Sequence, residues 1–322
     1  MKYLKKEDCT VLPIIVPVKS ILKTVNFFLV KRAQSLTLID AGFNNEDCWN
    51  ALNATLMEND HSLKDITEII LTHHHIDHVG LVNKIVSNHP LPVYASPHSI
   101  PRLKRDRTFL EMRIDFYANL YREHGCGEEG KKKVDSLRQA NRENQNQALE
   151  ADIIELKHTS ILHFNIIDTP GHAPDQLAFW DQNSRWLFTG DLLLGHISSN
   201  ALVEPDYEGK KILTLNQHLE SLKRCAVLNA EIVFPGHGEL IYNANELIQM
   251  KLERTEQKCE KLLQLIGSGI STANDLAMAY YNRIYHEQFS LVMSEVIGHL
   301  DYMELNNRVN KEFVQGLWHY ST

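Results

Sequence analysis

The sequence predicts an α+β protein, a layered sheet with helices on its outside. Short runs rich in β-branched and aromatic residues recur from about residue 10 to residue 235. Segments with apolar residues at helical spacing alternate with them, and Gly- and Pro-containing turns separate the two kinds. A chain of 322 residues that is 43% hydrophobic has the material for one large domain, or a domain with an appendage.

Taken in order, "VLPIIVP", "VNFFLVKR" and "SLTLIDAG" read as three short strands. "NEDCWNALNATLMEND" follows as a helix, with Asn44 or Asn45 placed to cap it. "EIILTH" and "LPVYAS" are buried strands flanking a polar histidine run and a helix, "HVGLVNKIVSNH". Residues 101–150 break the rhythm as two charged helices joined by "HGCGEEG". They read either as a hairpin packed on the body or as a wall over a site. In the second reading Phe109, Phe116, Tyr117 and Tyr121 would supply an apolar face. Strands resume at "ILHFNIIDTP", "LAFWD", "RWLFTGD" and "EIVFPGHG". From residue 243 the pattern turns helical. A long helix ends at Gly267 or Gly269, a second opens at a Ser/Thr cap in "STANDLAMAYY", and "SLVMSEVIGHLDYMELN" is a third. "NNRVNKEFVQGLWHYST" closes as a hairpin. The division expected is therefore a catalytic domain over 1–242, with the insertion at 101–150, and a winged-helix-like unit over 243–322.

Composition narrows the function classes. No apolar run reaches the ~18–20 residues a spanning helix needs. The basic patch in "MKYLKKEDCTVLPIIVP" is followed by Glu7, Asp8 and two prolines, unlike a cleavable signal, so a cytoplasmic protein without a membrane partner is expected. Five scattered cysteines with no CxxC pair suit reduced thiols. A net charge of −8 argues against phosphate-backbone binding. So does the 243–322 segment, with seven Lys/Arg against ten Asp/Glu. Packing or homodimerisation is the role left to that segment.

The seventeen histidines are not evenly spread. In "LTHHHIDHVG", His73, His75, Asp77 and His78 fit H-x-H-x-D-H. After a strand, alternate His73 and His75 can face the same way and hold one cation, and the turn that follows can aim Asp77 and His78 at a second. "DTPGHAPDQ", "FTGDLLL" and "FPGHGEL" set His172, Asp191 and His237 each behind an apolar strand and a Gly-containing turn, where all three could share one sheet edge. Imidazole with carboxylate suits Zn²⁺, with Fe or Mn as alternatives where carboxylates weigh more. No G-x-S-x-G elbow or P-loop competes with a metal reading.

Over roughly residues 10–242 these motifs resemble the metallo-β-lactamase superfamily. The resemblance implies a four-layer αββα sandwich with a dinuclear centre at one edge. His73, His75 and His172 would hold one ion, Asp77, His78 and His237 the other, and Asp191 would bridge them. Asp40 in "LIDAG" would orient the ligand loop. The reaction implied is hydrolysis by a metal-bridging hydroxide, for which no Ser or Cys nucleophile is needed. True β-lactamases of this fold lack the bridging aspartate or use a cysteine in the second site, and the diiron oxygen reductases carry glutamate where this chain has His75, so Asp191 and His75 point elsewhere within the superfamily. The full set is similar to glyoxalase II, the N-acyl homoserine lactonases and the tRNA 3′-processing nucleases. The helical ending is more like the β-lactamase-like-protein-2 group. A small ester, thioester or lactone is the expected substrate, and RNA phosphodiester hydrolysis the alternative. His196, five residues past Asp191, is the candidate donor to the leaving group, beside Asp77 as the other catalytic candidate.

Overall fold

The apolar runs of the first half pair in sequence order. The structure, a computed structural model, describes residues 3–322. Strands β1 (Leu4–Lys6), β2 (Cys9–Pro17), β3 (Thr24–Arg32) and β4 (Ser35–Ile39) form an antiparallel meander. β5 (Glu68–Ile70), β6 (Val93–Ala95) and β7 (Ile153–Glu155) extend the same sheet in parallel. Parallel neighbours need long crossovers, and helices supply them. α1 (Glu46–Glu58) joins β4 to β5. The short α2 (Ile76–Val79) and α3 (Val82–Asn88) join β5 to β6. α4 (Ile100–Leu103), α5 (Arg107–Glu123) and α6 (Gly127–Glu143) make the insertion before β7. Asn45 caps α1, its side-chain oxygen accepting from the Cys48 N–H at 2.9 Å.

A second sheet follows with β8 (Ser160–Ile161), β9 (Phe164–Asp168), β10 (Leu177–Asp181), β11 (Trp186–Gly190) and β12 (Ile232–Pro235), in the spatial order β12-β11-β10-β9-β8. β11 and β12 are parallel, with α7 (Thr214–Ala226) between them. Alternation along the strands builds the layers. Val11, Phe28 and Val30 of the first sheet meet Phe164, Phe179, Phe188 and Phe234 of the second between the sheets. Leu12, Ile14 and Leu38 face the other way, onto Leu52 of α1 and Ile85 of α3. Ala178, Leu187 and Val233 face α7 and α8 (Ala244–Gly267) through Leu222 and Leu247. Helix, sheet, sheet and helix thus stack as four layers, the α+β sandwich expected.

α9 (Ala273–Tyr285), α10 (Phe289–Leu305) and the hairpin β13 (Asn310–Val314) and β14 (Leu317–Ser321) complete the chain. Thr272 caps α9 through the Asp275 N–H at 3.2 Å. These helices share one core with the insertion: Tyr117, Leu120 and Tyr121 of α5 pack with Leu262, Val296 and Tyr320. This corrects one expectation. Tyr117 and Tyr121 are buried in that helical core and Phe116 packs on it, so they do not form a face toward the site. Among the described residues no helix is long and apolar enough to cross a membrane, and the five cysteines are buried and unpaired.

Candidate metal centre

The ligand loop begins where β5 ends. Thr72 follows, and its carbonyl accepts from the Leu177 N–H of the second sheet at 2.8 Å, which ties the two sheet edges together. His75 has extended backbone (φ −65°, ψ 147°) and stands just before α2, whose single turn carries Asp77 and His78 inward. His172 lies between β9 and β10, Asp191 directly after β11, and His237 just after β12. The close approach has a steric condition at Gly236: a Cβ there would lie 2.5 Å from Asp191 Oδ1 and 2.6 Å from His78 Cε1. Only glycine fits.

All seven expected ligands converge. His73 Nε2 and His172 Nε2 each lie 3.0 Å from His75 Nδ1. His237 Nε2 lies 3.3 Å from Asp77 Oδ2 and 3.2 Å from Asp191 Oδ2. Asp191 also reaches His78 Nε2 at 3.3 Å and His172 Nε2 at 3.6 Å, so its carboxylate stands between the two histidine groups. The sets His73–His75–His172, His73–His78–Asp191 and Asp77–His78–His237 each bring their donor atoms within 4.8 Å of one another. Two ligands bound at ~2.1 Å in a tetrahedral site sit roughly 3.4 Å apart, which these spacings approximate.

The outer ring nitrogens fix which atoms face inward. His78 Nδ1–H donates to Asp40 Oδ2 at 2.8 Å, His172 Nδ1–H to the Asn200 carbonyl at 2.9 Å, and His237 Nδ1–H to the Thr24 carbonyl at 2.7 Å. His73 Nδ1 lies 3.0 Å from Thr72 Oγ1, which itself donates to Asp40 Oδ2 at 2.8 Å. Each of these four rings is therefore oriented with its Nε2 turned inward. Asp40 reaches this position with a left-handed backbone (φ 59°), and its other oxygen accepts the Thr72 N–H at 2.8 Å.

The donor set fits divalent cations. His78 Nε2, His237 Nε2 and Asp191 Oδ1 are buried without a hydrogen-bond partner, a condition native proteins seldom leave unexplained. Burial holds His73, His75 and His172 below the usual histidine range, as neutral ligands. Burial would raise Asp77, but His78 and the adjacent His237 ring outweigh it and bring it to about 2. Burial would likewise lower His237, yet Asp191 and Asp77 lift it to about 9. Two carboxylates thus hold positive charge where the second ion would sit.

A cavity of about 330 Å³ opens beside His75 and Asp77. Its far wall is the insertion, with Leu103, Leu110 and Leu149 beside Arg102, Arg105 and Arg113. The basic stretch "PRLKRDR" was visible in the sequence, but nothing local said that it folds onto the site. His74, also on this cavity, is held by Asp175 Oδ1 at 2.6 Å from its Nδ1. His196 stands apart. Leu192, Leu193 and Leu194 bury into the core and carry the following loop outward. The His196 ring ends half-buried against Gly238, with Nε2 3.1 Å from the Ile21 carbonyl and facing a different cavity. That position does not serve the leaving-group role expected of it.

The comparisons with known proteins agree with this fold. The family model described as the metallo-beta-lactamase superfamily matches residues 22–237. The chain is 30% identical to the probable metallo-hydrolase YqjP of Bacillus subtilis, over 93% of each chain. It is 24% identical to an atrochrysone carboxyl ACP thioesterase of Aspergillus fumigatus, over 82% of this chain and 70% of that one. A metallo-beta-lactamase family protein of Thermus thermophilus shares the fold at a TM-score of 0.76 and 24% identity, covering 97% of this chain and 98% of that one.

Proposed function

The chain belongs to the metallo-beta-lactamase superfamily, and from that premise we propose that this metal-dependent hydrolase binds two zinc ions and cleaves a small ester, thioester or lactone. The carrying observation is the position of Asp191, its carboxylate between two groups of inward-facing imidazoles, with His78 Nε2, His237 Nε2 and its own Oδ1 buried without a hydrogen-bond partner. His73, His75 and His172 would hold one ion, Asp77, His78 and His237 the other, and Asp191 would touch both. Bound there, two divalent cations would lower the pKa of water from 15.7 toward about 7 and would stabilise charge developing on a carbonyl oxygen. Iron or manganese would serve the same donors.

The chain's own residues do the rest. Asp40 and Thr72 lock the rings of His73 and His78, and the carbonyls of Asn200 and Thr24 lock those of His172 and His237. Asp77 stays ionised through neutral pH. Leu103, Leu110 and Leu149 offer apolar surface for an acyl group in a cavity at the small end of the ~300–1,000 Å³ range of ligand sites. The thioesterase name of the Aspergillus relative supports an acyl substrate. The test is metal analysis of the purified protein followed by rates on thioesters, lactones, penicillins and phosphodiesters. Two ions per chain with acyl hydrolysis is the expected result. One ion per chain would remove the dinuclear reading, and turnover confined to phosphodiesters would replace the acyl substrate with RNA.

A further inference from the structure

We infer that the wall of the metal-edge cavity contains an anion subsite centred on Arg105, and that the substrate carries a carboxylate or phosphate within a few bonds of the group that reacts. Three arginines, Arg102, Arg105 and Arg113, line the same cavity as His75 and Asp77. Glu204 serves two of them. It accepts from Arg102 Nη2 at 3.1 Å and from Arg113 Nε at 2.8 Å. One carboxylate for two guanidinium groups offsets their charge only in part, and Arg105 adds another guanidinium with no ion-pair partner.

Arg105 itself has no counter-charge. Among the described residues no carboxylate forms an ion pair with it, its Nε is buried without a hydrogen-bond partner, and burial alone acts on its ionisation. A partly desolvated charge with no partner is unfavourable, and nothing inside the protein offsets it. A planar guanidinium is suited to bidentate contact with a carboxylate or phosphate.

The backbone adds a second, independent observation. The Arg105 N–H bonds to the Arg102 carbonyl at 3.2 Å and the Asp106 N–H to the Pro101 carbonyl at 2.8 Å. This is the paired closure of a Schellman helix end, with Arg105 at the left-handed position (φ 51°) that glycine usually fills. An arginine there is the less comfortable choice for the backbone, so its side chain is where its use lies. A cavity of about 330 Å³ also has room for the reacting group and the anion of one small molecule.

The inference relies on the hydrolase reading for the bond that breaks, not for the anion. Thioesters of one acyl group with 2-mercaptoethanol, 3-mercaptopropionate and 2-mercaptoethyl phosphate supply neutral, carboxylate and phosphate forms, and ω-carboxylated acyl groups test the other side of the bond. An anionic form is expected to exceed its neutral counterpart by tenfold or more in kcat/KM, chiefly through KM, and whichever anion gains more identifies the source. In Arg105→Gly, which suits the backbone and should not lower the thermal midpoint, that ratio should fall toward one. Arg105→Lys should recover part of it. Equal rates on neutral and anionic forms, or a preference that survives Arg105→Gly, would overturn the subsite. If no acyl substrate turns over, the hydrolase reading fails, and titration with glutarate and methyl phosphate decides the subsite by itself. Binding weakened tenfold or more in Arg105→Gly supports it, and no binding, or equal binding by both proteins, refutes it.

Discussion

Two regions face each other across the cavity, and they are held together differently. At the sheet edge, each of the four inward-facing Nε2 rings is fixed by one hydrogen bond to a carbonyl, a hydroxyl or the Asp40 carboxylate. The strands behind those groups bury Phe28, Phe188 and Phe234 whatever the ligands do. In the helical wall, by contrast, position depends on pairings between distant segments. Glu204 ties α4 and α5 to the loop before α7, and Tyr117 and Tyr121 pack with residues of α8, α10 and β14. Losing a side chain at the edge should therefore damage chemistry more than stability, and losing one of the paired or core-packed side chains of the wall should do the reverse.

The largest effect is expected from Asp191→Ala. Removing the carboxylate that stands between both groups should lower occupancy of both ions and cut kcat/KM by about a thousandfold or more. The unfolding midpoint of the metal-free protein should move little, because inter-sheet burial supplies most of the stability. His237→Ala should mainly empty the second position. Two ions per chain and near-full turnover in Asp191→Ala would break the bridging assignment.

How far each region was legible follows from the same contrast. Four of the seven ligands fall within six residues of sequence, and His172, Asp191 and His237 each follow a strand and a Gly-containing turn, so local pattern was enough to place them together. The wall was not legible in this way. Its core joins Tyr117 to Val296 and Tyr320, far apart in the chain, and no local signal told an arginine facing the site from one facing solvent. His196 shows the opposite error. Its spacing from Asp191 suggested proximity, but the buried run Leu192–Leu194 turns the loop away.

Glu204→Gln probes the wall. It leaves Arg102 and Arg113 with no carboxylate, and breaking a buried ion pair from one side costs about 3–5 kcal/mol. Denaturant unfolding should show that loss while metal content stays at the wild-type level. The pH dependence has a definite sign. Burial would raise Glu204, but Arg113 and Arg102 outweigh it and hold it well below the usual carboxylate range. Its stabilisation is thus complete above the ordinary value of about 4.3 and is lost as pH falls through the folded value. The Gln variant should lack that part of the acid limb. A variant as stable as wild type would show that the wall does not depend on this cluster.

Asp40→Asn is smaller and returns to the edge. The amide cannot accept charge-assisted bonds from Thr72 and His78 as the carboxylate does, so the rings lose orientation but keep their donors. Metal affinity or activity should fall by about 10–100-fold, with the unfolding midpoint nearly unchanged. A large loss of stability with little change in metal affinity would make Asp40 a structural residue of the turn instead.

The smallest effect is expected at His196, where the sharpest test of position against spacing lies. The ring is half-buried, and its one hydrogen bond, from Nε2 to the Ile21 carbonyl, is at the surface where water can replace it. Surface losses of this kind stay within about 0.5 kcal/mol, so His196→Ala should keep kcat/KM within roughly twofold of wild type and leave the pH profile in place. A general acid would behave otherwise, because its removal costs about 10²–10⁴-fold and deletes one limb of the profile. Such a loss would mean that the loop after Asp191 rearranges during turnover to bring His196 to the metals, and the edge would then be less rigid than its hydrogen bonds imply.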